Sequence, residues 1–181
     1  MERADVASRF AFAAILFFVV GMALVITQQP PATYAGSPPT LVTVVALAFT
    51  LFHLSLLPVI AALDAPAWAK GSGYAWIVVD NVIVFMGYFG VGADLIVPMR
   101  WGVHLAAATW IFGASGAAQG GMRWIGWLAV LAFVGASFMG PFVDRATAPK
   151  TLGPASLLLV IWLGMTGAKL AKRDSSAARA A

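Results

Sequence analysis

Residues 74–97, YAWIVVDNVIVFMGYFGVGADLIV, decide the fold of this chain. The stretch is apolar over the length of a bilayer crossing, because a hydrocarbon core about 30 Å thick needs roughly 17 to 25 helical residues. It nevertheless contains Asp80 and Asp94, and carboxyl groups in lipid are tolerated only where they face protein or water. We therefore predict a membrane-spanning helix that lies at the centre of a bundle of other helices.

Five further stretches have a similar length and apolar character. They are residues 10–26, 41–63, 101–118, 124–143 and 152–168. Proline and glycine, as at Pro98 and Gly120, break the chain between these stretches. The sequence thus predicts one all-α domain over residues 1–181, a bundle of six transmembrane helices with a short polar tail at 169–181. Small residues on the fifth span predict close contact with another helix; they are Gly126, Gly135, Ser137 and Gly140.

The composition excludes several classes of protein. With 61% hydrophobic and 10% charged residues, the chain has too little polar surface to cover a water-soluble globule. It has no cysteine, two histidines and a single glutamate, Glu2, so we expect neither a metal site nor a cofactor. The net charge of +4 comes from residues that flank the apolar stretches, and we expect no nucleic-acid partner.

The basic residues predict the orientation in the membrane. Most of them lie on one side when the helices alternate, and the positive-inside rule makes that side cytoplasmic. We predict a multi-pass protein of a bacterial-type plasma membrane, with both termini in the cytoplasm and lipid as its main partner. Aromatic residues close to the predicted span ends fit an interfacial belt; they are Tyr34, Trp68, Trp76, Trp101 and Trp124. Arg3 and Arg9 before the first span also resemble a signal peptide, but the apolar run is longer than a usual signal core.

Polar side chains within the predicted spans are the candidate functional residues. A lone ionised group in hydrocarbon costs roughly 3 kcal/mol, so these residues are expected to face the bundle interior and to have partners. They could bind a solute or a proton, or could satisfy each other as structural clamps. The candidates are His53, Asp80, Asn81, Tyr88, Asp94, Arg100 and His104.

Their spacing predicts two separate sites. Asp80 and Asp94 lie on one helical stripe about 21 Å apart along the axis. If the chain turns near Pro98, Asp94 and His104 lie at matching depth and form an outer pair, with Arg100 above them.

Asp80 and His53 form the predicted inner pair. Their depths differ by roughly 6 Å, a gap that a water molecule or Asn81 would bridge. Histidine titrates near neutral pH, so either pair could serve a proton or cation path.

The sequence leaves three functions open, because no motif in it specifies a reaction. The first is a small transporter or channel-like protein that uses these sites for proton- or cation-linked movement of a small solute. The second is a structural or accessory membrane subunit, in a homo-oligomer or a larger membrane complex. The third is a membrane enzyme that acts on a lipid or isoprenoid with an aspartate as general acid or base.

Overall fold

A computed structural model describes residues 2–28, 39–142 and 151–180. All regular secondary structure in these residues is helical, and they contain no strand. Its six long helices are α1 (Glu2–Gln28), α2 (Pro39–Ala62), α3 (Ala67–Tyr88), α4 (Ala93–Gly116), α5 (Gly121–Met139) and α6 (Gly153–Ala180). A 3-10 turn, Gly140–Phe142, extends α5. The all-α prediction is therefore confirmed; Tyr34, from the predicted aromatic belt, lies outside the described residues.

Five of these helices, α1, α2, α4, α5 and α6, are long and apolar enough to cross a membrane. The chain thus has the helical, apolar segments of an integral membrane protein. α3, which carries Asp80 and Asn81, is not among the five, so six crossings remain a prediction. Large apolar side chains also point outward, where a soluble protein would carry charge; among them are Leu16, Leu131, Phe138 and Leu157.

The six helices form a closed ring in which each packs against its neighbours in sequence and α6 returns to α1. Successive helices run in opposite directions. At the α1–α2 contact, for example, Phe18 meets Phe52 while the later Gly21 meets the earlier Phe49. The ring closes where the Ser8 hydroxyl of α1 donates a hydrogen bond to the carbonyl oxygen of Gly167 in α6, at 2.9 Å.

The turn between α3 and α4 lies earlier than the sequence predicts. α3 ends at Tyr88, and Gly90 takes a left-handed conformation with a φ of 79°. The Val91 amide then donates to the Met86 carbonyl at 2.9 Å and the Gly90 amide to the Gly87 carbonyl at 3.1 Å, the bonding pattern of a Schellman motif.

Pro98 therefore lies inside α4, and the predicted turn at this residue is wrong. Pro98 is the sixth residue of α4, where a proline removes one backbone hydrogen bond without ending the helix. Membrane helices tolerate such a loss. The shift moves Asp94 from α3 to the first turn of α4.

Close helix contacts occur at two of the three glycines of the fifth predicted span. A Cβ at Gly126 would collide with Ser115 of α4 and Trp162 of α6, and one at Gly140 would collide with Trp101 of α4. Ser137 is buried. Gly135, by contrast, has open space beside it, so its predicted contact is wrong. The helices α4, α5 and α6 thus meet most tightly around Gly126.

Candidate functional site

His53 and Asp80 meet in the interior of the bundle. The antiparallel packing of α2 against α3 brings the Nε2 atom of His53 to 3.0 Å from Oδ2 of Asp80. The His53 and Asp80 side chains are 2% and 9% exposed. The sequence predicts a gap bridged by water or Asn81, but α3 begins at Ala67 rather than near Tyr74, so the predicted depth of Asp80 does not hold, and the contact is direct.

Arg100 and His104 of α4 join this pair. The Nε atom of Arg100 lies 3.7 Å from Oδ1 of Asp80, an ion pair longer than a hydrogen bond. His104 is buried one helical turn after Arg100 on the same face of α4, with its ring 5.5 Å from that of Phe133. Three helices thus supply one ionic group, His53, Asp80, Arg100 and His104, which is called the Asp80 cluster below.

The predicted pair of Asp94 and His104 is wrong. Both residues lie on α4, ten positions and about 15 Å apart along its axis, because the turn before α4 precedes Asp94. Asp94 is exposed in the first turn of α4, whereas His104 is buried in the Asp80 cluster. Arg100 likewise approaches Asp80, so the two predicted sites become one.

Asn81 and Tyr88, also predicted as candidates, point elsewhere. The Asn81 amide donates a 2.8 Å hydrogen bond to the Ile77 carbonyl of its own helix. Tyr88 lies at the exposed end of α3, with its ring edge against Phe89. Asn81 follows Asp80 by one residue, and successive helical residues diverge by about 100°, so adjacency in sequence does not bring both into one site.

Three buried tryptophans close one side of the Asp80 cluster. The Trp76 ring lies 5.4 Å from the His53 ring and stacks on Trp110 at 5.8 Å, and Trp110 meets Trp162 at 5.3 Å. This tryptophan layer, Trp76, Trp110 and Trp162, lies about one helical turn from Asp80 toward the end of the bundle where α3 begins. The sequence places Trp76 in an interfacial belt, but α3 begins at Ala67 and buries Trp76 more than two turns deep.

Trp101, also predicted in the belt, is buried against Gly140. Trp68 and Trp124 are largely exposed near the ends of α3 and α5, where a belt would lie. Spacing alone does not separate buried from interfacial tryptophans here. A glycine packed against a tryptophan is a better sign that the tryptophan is buried, since a Cβ at Gly73 would collide with Trp110.

Several polar atoms of the cluster are buried without a hydrogen-bond partner. They include Nδ1 of His53, Nδ1 of His104 and Oδ1 of Asp80. A buried polar atom without a partner is costly, and such atoms concentrate where a protein binds a ligand or exchanges protons. The cluster therefore has unused donor and acceptor capacity.

The described residues contain no group of side chains arranged to bind a metal ion. Among the described residues, no three side chains of the metal-ligating types are grouped so as to hold an ion, and the two histidines and Asp80 are no exception.

A separate groove of about 200 Å³ runs along the outside of α4 and α5. Its lining is apolar apart from Thr109, whose hydroxyl donates to the Leu105 carbonyl of its own helix at 2.8 Å. The groove is lined by Leu105, Ala108, Thr109, Phe112, Val130 and Val134. No residue of the Asp80 cluster belongs to this lining.

No protein-family model, no curated protein and no solved structure matches this chain.

Proposed function

We propose that the chain is a small membrane transporter in which the Asp80–His53 pair holds a proton, or a cation in its place, while a small solute crosses. The observation that carries this proposal is the 3.0 Å approach of two buried titratable side chains inside an apolar bundle. Ionisable residues within membrane bundles typically mark proton or substrate paths. Histidine is a common side chain in proton shuttles, and here it faces a carboxylate.

The surroundings of the pair support a transport path. The Arg100 side chain is 35% exposed, so it is the member of the cluster through which the proposed path would reach the end of the bundle where α4 begins. On the other side the tryptophan layer separates the cluster from the opposite end. A central site that is open to one side and closed to the other is what alternating access requires in each of its states. We place both termini in the cytoplasm of a bacterial-type cell because basic residues predominate at that end.

The proposal is tested by reconstituting the purified protein in liposomes that contain a trapped pH dye. Proton flux is recorded under a pH gradient, with sodium, potassium, chloride, sugars and amino acids supplied in turn. Asp80→Asn is expected to abolish solute-dependent proton flux, because the amide can no longer carry the charge. Asp94→Asn, at an exposed position outside the cluster, is the matched control and should keep that flux.

A correctly folded Asp80→Asn protein with unchanged flux would overturn the transport proposal. Folding is checked by the elution volume in detergent and by the helical circular dichroism signal. These two readings separate loss of function from loss of structure.

A structural or accessory subunit is the second candidate function. It is supported because the cluster ties α2, α3 and α4 together, as an ionic clamp would. This candidate predicts no flux in the wild type and loss of assembly in Asp80→Ala. A lipid-modifying enzyme is less well supported, because the α4–α5 groove lacks the carboxyl group that such chemistry would use.

A further inference from the structure

The Asp80 cluster contains more groups that can carry positive charge than groups that can carry negative charge. Asp80 is its one carboxylate, whereas Arg100 carries a guanidinium and His53 and His104 each carry an imidazole. With both histidines neutral, Asp80 and Arg100 sum to zero. One added proton makes the cluster cationic, and an unmatched charge in a medium of low dielectric constant is costly.

Arg100 has N–H groups that are not used in hydrogen bonds to the described residues. Its Nε atom faces Asp80 at 3.7 Å, and no hydrogen bond from its terminal nitrogens to another described residue is present. A guanidinium group offers five N–H donors in a planar fork, a geometry that matches small oxyanions and carboxylates. A partly buried arginine in an apolar wall therefore presents a site for an anion.

The histidines supply the accompanying proton site. Nδ1 of His53 and Nδ1 of His104 are both buried without partners, and a protonated imidazole donates from both ring nitrogens. The other helices bring no charge to this level, since residues 10–28 of α1, 124–139 of α5 and 153–168 of α6 contain no charged residue. Lys70 and Asp94 lie in the first turns of α3 and α4, away from the cluster.

We infer that the solute recognised by the Asp80 cluster is a small monoanion, held by Arg100 and His104 and bound together with one proton. The inference rests on the proposed transport function and adds the chemical class of the solute. The proton passes from water to a cluster imidazole while the anion enters beside Arg100. Charge is then balanced, and both leave together on the other side of the membrane without any covalent step.

The test is a binding titration on purified protein in a non-ionic detergent, with sodium iodide as the probe. Iodide quenches tryptophan fluorescence, and Trp76 lies beside His53. Exposed Trp68 and Trp124 give only collisional quenching, which does not saturate. We expect a saturable component that is stronger at about pH 5.5 than at about pH 8, as histidine protonation requires, and that chloride or nitrate displaces.

Variants assign that component to the cluster. Arg100→Gln should weaken it at least about tenfold, the loss expected for a charge-assisted hydrogen bond, and Arg100→Lys should weaken it less. Asp80→Asn should keep or strengthen it, because the substitution removes the competing negative charge. The control is Arg9→Gln, whose exposed guanidinium pairs with Asp5 far from the cluster, and it should bind as the wild type does.

Three results would overturn the inference: no saturable component in the wild type at either pH, an unchanged component in Arg100→Gln, or quenching that depends on the cation of the salt. Saturation by short-chain phosphatidylglycerol but by no free anion would assign Arg100 to a lipid headgroup instead and would also overturn it. Failure of the transport proposal looks different, since it would leave iodide binding intact while Asp80→Asn kept the wild-type proton flux.

Discussion

Nε2 of His53 lies 3.0 Å from Oδ2 of Asp80, so α2 and α3 are joined by two ionisable side chains in the interior of an apolar bundle. Removing one partner of such a pair leaves the other buried without compensation, which costs far more than the pair itself contributes. The pair therefore fixes the register of the two helices whether or not it also carries a proton. Function and stability have to be measured separately at these positions.

The turn between α3 and α4 gives a first prediction. Gly90→Ala is expected to lower the free energy of unfolding by about 1 kcal/mol, because alanine disfavours the left-handed conformation at a φ of 79°. Gly92→Ala is the control, since Gly92 has an ordinary φ of −61° and open space beside it. The measurement is reversible unfolding in mixed micelles. Equal effects of the two substitutions would contradict the Schellman turn.

Pro98 gives a second prediction. Because α4 continues through this residue, Pro98→Ala should keep the fold and should leave the unfolding free energy unchanged or raise it by up to about 3 kcal/mol. Alanine restores the amide that can bond the Asp94 carbonyl one turn earlier. Loss of the folded state, recorded by size exclusion in detergent, would show that the chain needs a turn at Pro98.

The contact of α5 with α4 and α6 gives a third prediction. Gly126→Ala should destabilise the bundle by about 1 to 3 kcal/mol, because the added methyl group meets Ser115 and Trp162. Gly135→Ala, on the same helix with open space beside it, should be neutral or slightly stabilising. Thermal unfolding of the two variants side by side is the measurement. A neutral Gly126→Ala would mean that these helices are further apart than described.

The turn between α4 and α5 gives a fourth prediction. Arg123 donates from Nε to the Ala118 carbonyl at 2.8 Å and from Nη2 to the Gly116 carbonyl at 3.2 Å, which satisfies the C-terminal end of α4. Arg123→Gln should therefore lower the unfolding free energy by about 1 to 3 kcal/mol. Arg9→Gln, which breaks only an exposed ion pair with Asp5, should cost less than about 1 kcal/mol. The prediction fails if chemical denaturation ranks the two variants in the opposite order.

Much of the architecture was predictable from the sequence, because membrane thickness fixes the length of an apolar helix. The contact of Asp80 with His53 was also predictable, since a carboxyl group in hydrocarbon needs a partner and His53 was the nearest in depth. The relative depth of the two side chains was not predictable, because α3 begins at Ala67, before the apolar stretch from which the depth of Asp80 is counted. The structure has a direct contact in place of the predicted bridge.

The predicted outer site failed for a local reason. As a helix breaker, Pro98 predicts a turn at its own position, but a proline early in a membrane helix removes only one hydrogen bond, whereas Gly90 supplies the left-handed residue that ends α3. A shift of a few residues moved Asp94 onto α4 and placed Arg100 beside Asp80, with His104 one turn further along α4. The inward position of Trp76 has a separate cause, because α3 begins at Ala67, earlier than the predicted span start at Tyr74.

The central claim is that His53 and Asp80 act as one buried unit, and a double-mutant cycle tests it most directly. His53→Gln, Asp80→Asn and the double variant are unfolded reversibly in mixed micelles, beside a control cycle of Asp94→Asn with His104→Gln. We predict a coupling free energy of about 1 to 3 kcal/mol for the first cycle and additivity within about 0.5 kcal/mol for the control. Additivity between His53 and Asp80, with coupling between Asp94 and His104, would contradict the account.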